Sequence, residues 1–191
     1  CMKVLRLKKG DYIHLTDGRG VLYRAAIVDE DPRRCRLEVV DHQEDYGKRP
    51  FYLHLAIAPT KNIKRFEWFL EKATEIGVDE ITPILCFHSE RKYIKTQRIL
   101  IAAMKQSLKA YLPVLNEMTP FADFIKKTAH TNRYIAYLDQ LQSQPLNKVY
   151  PAGEHALILV GPEGDFSEQE VDQAKKEGFQ PVKLGQNRLR T

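Results

Sequence analysis

The chain has 191 residues, 43% of them hydrophobic and 29% charged, enough for one domain or for a large one beside a small one. No apolar run approaches the roughly 20 residues that cross a bilayer, which sets aside a membrane-spanning helix in these residues, and no signal peptide is visible at the start as given. The net charge of +5 is unevenly spread: KVLRLKKG holds four basic residues and Arg91 to Lys109 six, neither with an acid, which suits a polyanionic partner as well as a solvated surface.

Both ends read as cut from something longer, since Cys1 is not an initiator and NRLRT stops abruptly. Residues 1–49 read as a small β unit. YIHLTD alternates, DGRG supplies a turn, VLYRAAIVDE runs back, and CRLEVVDH follows DPRR, which predicts a barrel or meander. EDYGKRP is the linker.

Strands and helices then alternate. FYLHLAIAP is a strand, and Asn62 to Ile76 is a helix with Ile63, Phe66, Phe69, Leu70, Ala73 and Ile76 at helical spacing, closed by Gly77. Trp68, in this helix of apolar spacing, is assigned to the core rather than to base stacking. DEITPILCF is a strand, RILIAAMKQSLKAY a helix stopped by Pro113, TPFADFIKKTA a helix, and RYIAYLD and ALILV two further strands. Ser167 and Glu170 form a capping box for a helix ending at Gly178, and FQPVKLG is the last strand. This order predicts an α/β domain with a largely parallel sheet covered by helices on both faces.

The three cysteines, Cys1, Cys35 and Cys86, lack paired spacing, and the six histidines are scattered. We therefore expect no disulfide framework and no metal site, and a reducing cytoplasmic setting. Cys86, in ITPILCF, is read as a buried small hydrophobe.

LILVGPEGDFSEQE is where such a fold places a ligand, because a buried strand empties into a glycine turn and a helix starts at once. It is neither GxGxxG nor GxxxxGK[ST]. Pro162 removes a donor, and Glu163 and Asp165 repel phosphate, so a ligand with a cationic or neutral polar face fits better. A purely structural turn remains the alternative. LGQNRLRT follows the final strand; if the two strands are neighbours, both loops converge on one pocket.

GPEGDFSEQE followed by LGQNRLRT resembles the paired C-terminal motifs of the ribosomal RNA small-subunit methyltransferase E family, SPOUT-class enzymes that methylate uridine N3 of 16S rRNA with S-adenosylmethionine. APTKNIKRFEWFLEKATEIGVDEITPI, HSERK, MKQSLKAYLP and the opening LRLKKGD resemble further family segments in the same order, so the likeness runs along essentially the whole chain.

The resemblance implies a PUA-like RNA-binding barrel over 1–49 and a SPOUT methyltransferase domain with a C-terminal trefoil knot over 50–191. It also implies a homodimer acting on 16S rRNA of the small ribosomal subunit. Its donor site comprises Leu138, Gly161, Pro162, Glu163, Gly164, Leu184, Gly185, Leu189 and Arg190. Arg190 is the candidate for stabilising charge on the uracil, with no general base assigned. RNA contacts are expected from Arg6, Lys8, Lys9 and Arg19 on the barrel and from Arg91, Lys92, Lys95 and Lys105 beside the site. Asp165 departs from the family, where a second glycine is common, as do Asn187 and Arg188, where an Arg-aliphatic pair is common. The knot-forming tail beyond Thr191 is absent from the sequence as given. Methylation of another RNA base, or a non-catalytic RNA-binding assembly role, stays open beside this reading.

Overall fold

The computed structural model describes residues 7–31, 33–90, 97–128, 130–138 and 143–185. They divide into two compact units, Cys1–Lys48 with Met104–Leu112, and Arg49–Ala103 with Pro113–Thr191.

In the small unit β1 (Tyr12–Thr16), β2 (Leu22–Asp29) and β3 (Arg36–Gln43) form an antiparallel sheet in that order. Asp17 closes the first turn, its Oδ1 accepting from the amides of Arg19 at 2.7 Å and Val21 at 3.2 Å. Ala25 and Ile27 point into the unit's core, while every residue of β3 is exposed. Residues 104–112 dock here through Gly20 N to the Ala110 carbonyl and Leu112 N to the Gly18 carbonyl, both 2.9 Å. Gly20 is obligatory, because a Cβ there would lie 2.4 Å from the Tyr111 ring.

The large unit contains β4 (Leu53–Ile57), α1 (Ile63–Ile76), β5 (Glu80–Leu85), β6 (Val114–Leu115), β7 (Thr119–Pro120), α3 (Phe121–Lys127), β8 (Asn132–Ala136), β9 (Gln144–Pro145), α4 (Leu146–Val149), β10 (Ala156–Val160), α5 (Glu168–Lys176) and β11 (Gln180–Lys183). Helix α2 (Gln97–Gln106) spans the division. The sheet order is β6-β5-β4-β10-β8-β11-β9, with β7 also on β5, and its pairings are parallel.

Both faces of this sheet are covered, as the strand–helix alternation predicts. On one, Phe121, Phe124 and Ile125 of α3 and Val171 and Ala174 of α5 pack on Ala56, Ile84, Ile135, Leu157 and Leu159. On the other, Tyr134, Ala156, Ile158 and Val182 meet Leu146 and Val149 of α4. Burying each large aliphatic side chain contributes about 1.5–3 kcal/mol.

The structure corrects several local expectations. Trp68 is 62% exposed and Ile76 73% exposed; the buried stripe of α1 is Phe66, Leu70, Ala73 and Thr74, and Trp68 lies well round the helix from it. Helix α2 ends at Gln106, not at Pro113, because Leu108 turns left-handed (φ 55°) and Lys109 N bonds back to the Met104 carbonyl. The short elements over 114–120 and 144–149 were not foreseen, being too brief to show a period. Cys86 is buried as expected, and burial pushes its thiol up, away from thiolate chemistry. Among the described residues no helix is long and apolar enough to cross a membrane.

Candidate functional site

Strands β4 and β10 are neighbours, yet the chain leaves β4 towards β5 on one side and β10 towards β11 on the other. Strand order therefore switches between them, and a parallel sheet opens a crevice at the carboxyl ends of such a pair. Pairing runs one residue past the strands, with Ala58 N bonded to the Val160 carbonyl at 3.0 Å, before the loops separate. A cavity of about 360 Å³ opens there, lined by Pro59, Lys61, His88, Glu90, Glu163 and Gly164 among others.

The glycine turn is held from three sides. Glu163 accepts from Lys61 N at 2.9 Å and pairs with Arg65 at 3.5 Å, so its carboxylate ties the turn to the loop after β4. It does not cap the following helix. That cap is the Ser167–Glu170 box, as the sequence predicts. Glu170 also reaches out of its own element: it is buried, and its Oε1 accepts from Phe87 N at 2.8 Å, fastening the loop after β5 to the start of α5. Gly161 and Gly164 allow close packing, since an added Cβ would stand 3.0 Å from the Phe166 ring at the first and 3.1 Å from His88 Cβ at the second.

Asp165 takes the left-handed conformation, φ 63°, which accounts for a glycine at that point in the family pattern. Its Oδ1 accepts from Phe166 N at 2.8 Å, the local bond that lets aspartate tolerate this backbone. Asp165→Ala is expected to lower the unfolding free energy by roughly 1 kcal/mol and Asp165→Gly to be near neutral, as urea titration would read.

Leu138 and Leu184 follow β8 and β11, are 63% and 48% exposed, and share the carboxyl edge with the glycine turn. Gly185 is exposed beside Leu184. The strands before the two motif loops are not neighbours, however, for β8 lies between β10 and β11. Two strand spacings, about 10 Å, therefore separate the ends of β10 and β11. Leu189, Arg190, Asn187, Arg188, Arg91, Lys92, Lys95 and Arg6 lie outside the described residues. Lys8, Lys9 and Arg19 are exposed on the small unit. Lys105 is exposed and belongs to that same unit. Sequence reasoning missed Lys61, His88 and the Phe87–Glu170 bond, each a contact between distant loops with no local signal.

A family profile described as an RNA methyltransferase domain matches residues 47–191, and one described as an RNA methyltransferase PUA domain matches residues 1–40. The chain belongs to the RNA methyltransferase family. A relative from Synechocystis named ribosomal RNA small subunit methyltransferase E is 32% identical over 98% of this chain, which spans 64% of that relative's length. The crystal structure of a probable rRNA-methyltransferase from Porphyromonas gingivalis has a TM-score of 0.92 and 44% identity, covering 100% of this chain and 82% of that one. A ribosomal RNA small subunit methyltransferase E from Neisseria gonorrhoeae, solved bound to S-adenosyl methionine, matches with a TM-score of 0.86 and 27% identity over 100% of this chain and 81% of its own. The small antiparallel sheet and the parallel α/β sheet are thus the PUA and methyltransferase parts of one family architecture.

Proposed function

We propose that this protein transfers a methyl group from S-adenosylmethionine to N3 of a uridine in 16S rRNA of the small ribosomal subunit, in the cytoplasm and as a homodimer. The observation that carries the reading is the glycine turn Gly161–Gly164 at the β4/β10 switch point, in a chain whose residues 47–191 match the family profile. The edge fits the donor's chemistry. Glu163 and Glu90 line the cavity with their charges paired to Arg65 and Lys61, so the edge is close to neutral, and the exposed Leu138 and Leu184 offer apolar contact to a planar ring.

S-adenosylmethionine, when bound, supplies an electrophilic methyl on a positive sulfonium. Gly161, Pro162, Glu163, Gly164, Leu184 and Gly185 would hold it with Leu138 and Leu189. Uracil N3 lies on the pairing edge, so the base must be unpaired to react. Arg190 is assigned to the uracil oxygen on which negative charge develops, an interaction of a kind worth about 10²–10³ in rate. Glu163 is not assigned as the base, since Lys61 N and Arg65 engage its carboxylate.

We assign the RNA grip to the domain at 1–49, through Arg6, Lys8, Lys9 and Arg19, and to Arg91, Lys92, Lys95 and Lys105 of the methyltransferase domain (50–191). Reversing Lys8 and Lys9 to glutamate is expected to weaken RNA binding and flatten its log–log salt dependence by about 1 for each phosphate no longer neutralised. Filter binding over a salt series checks this, and unchanged affinity at low salt removes the two lysines from the interface.

The reading as a whole is tested with labelled S-adenosylmethionine and unmodified small subunits, naked 16S rRNA and transfer RNA in parallel, followed by mapping of the methyl group. Label on uridine N3 of subunit RNA is expected. Label on another base moves the substrate, and absence of donor binding overturns the assignment.

A further inference from the structure

The opposite edge of the large sheet, at the amino ends of its strands, holds a cavity of about 690 Å³ lined by Tyr52, His54, Glu80, Asn116, Thr128 and His130 among others. Strands of five residues set it roughly 15 Å from the glycine turn.

Three electron-pair donors converge in it. Nδ1 of the buried His54 lies 3.2 Å from Nε2 of His130 and 3.5 Å from Oε2 of Glu80. The ligand atoms of the three residues all fall within 4.8 Å of one another. A zinc ion held tetrahedrally by nitrogen and oxygen at about 2.0–2.1 Å keeps its ligand atoms about 3.3–3.4 Å apart. The two close separations are of that size.

The donors are also oriented from behind. His54 Nε2 hydrogen-bonds Thr82 Oγ1 at 2.7 Å. Glu80 accepts from Asn116 Nδ2 at 2.6 Å on Oε1 and from the Tyr52 hydroxyl at 2.8 Å on Oε2, and Asn116 Nδ2 also reaches Thr82 Oγ1 at 2.7 Å. Such an outer ring fixes the tautomer and direction of metal ligands. Thr128, in the same lining, has a buried hydroxyl with no hydrogen-bond partner among the described residues, a group that a bound ligand satisfies.

The geometry points to a binding site for one zinc-class divalent ion on His54 Nδ1, Glu80 Oε2 and His130 Nε2, with a fourth position open to the cavity. Two imidazoles and one carboxylate suit such a metal, and three protein ligands with one open position are the mark of a site that also takes a small ligand. The positions 54, 80 and 130 share no sequence spacing, so the expectation of no metal rested on a signal this site does not emit.

The test is equilibrium dialysis of the intact, chelator-stripped protein against zinc, with cobalt(II) as an optical probe of coordination. One zinc per chain and the visible spectrum of tetrahedral cobalt are expected. His130→Ala should lose more than tenfold in affinity, and Asn116→Ala, which removes an outer-ring bond to Glu80, about 10–100-fold. His14→Ala, at an exposed site in the small unit, should leave binding unchanged. His54 is buried and its replacement endangers the fold, so the half-buried His130 decides the matter. A wild-type protein that retains no zinc, or a His130→Ala variant that retains it equally, overturns the site and leaves a hydrogen-bonded cluster only.

Discussion

Glu170→Ala is expected to lower the unfolding free energy by about 3 kcal/mol and to weaken binding of S-adenosylmethionine with it. The side chain is 8% exposed, and its carboxylate accepts from Phe87 N at 2.8 Å and from Ser167 N and Oγ at 2.9 Å each. Hydrogen bonds to a charged group are worth about 1.5–3 kcal/mol, and the donors stranded by truncation also carry a desolvation cost. Water entering the gap recovers part of the loss, so the bonds do not simply add. Glu170→Gln keeps one acceptor oxygen and should lose about half as much. Urea unfolding of the two variants reads the stability term, and donor titration calorimetry reads the second effect. A loss for Glu170→Ala below about 1 kcal/mol would mean that the Phe87 and Ser167 amides find water instead, and that the loop after β5 is not held by this residue.

Glu170 also shows where sequence reading succeeds and where it stops. Its bond to Ser167 spans three residues and was legible as a capping box; its bond to Phe87 spans 83 and was not. The same division runs through the fold. ALILV, the helix from Asn62 with its Gly77 cap, and the turn at Gly161 are local patterns, and the structure has them at those places. The insertion of β8 between β10 and β11 is a matter of sheet order, which strand sequences do not encode. Trp68 and Phe66 are both large aromatics two residues apart, about 200° round the helix, so the stripe that buries Phe66 with Leu70 and Ala73 leaves Trp68 outside. The basic run from Arg91 to Lys109 crosses the division between the units, which falls within α2, and nothing in its letters marks that break. At Asp165 the chain departs from the glycine that the family resemblance leads one to expect. The backbone there is left-handed all the same, held by the aspartate's own side chain.

Gly164→Val is expected to reduce affinity for S-adenosylmethionine by tenfold or more while leaving the unfolding free energy within about 1 kcal/mol of wild type. Neither Gly161 nor Gly164 takes a positive φ, so both positions answer to space rather than to backbone conformation. At Gly164 the added Cβ stands 3.1 Å from His88 Cβ on an exposed turn, where neighbours can give by a few tenths of an ångström. The two further methyls of valine occupy the cavity of about 360 Å³ that the proposal gives to the donor. Gly161 is buried, and its Cβ would press at 3.0 Å on the Phe166 ring, itself packed against Phe121 at 5.5 Å between centroids. Gly161→Val should therefore cost about 1–3 kcal/mol of stability through overpacking, along with donor affinity. The contrast separates the two roles left open for this turn. A structural turn predicts that binding falls only as far as stability does, so Gly164→Val would bind like wild type. A donor edge predicts that Gly164→Val loses affinity while its unfolding transition stays in place, and calorimetric titration beside urea denaturation of the same preparation distinguishes them.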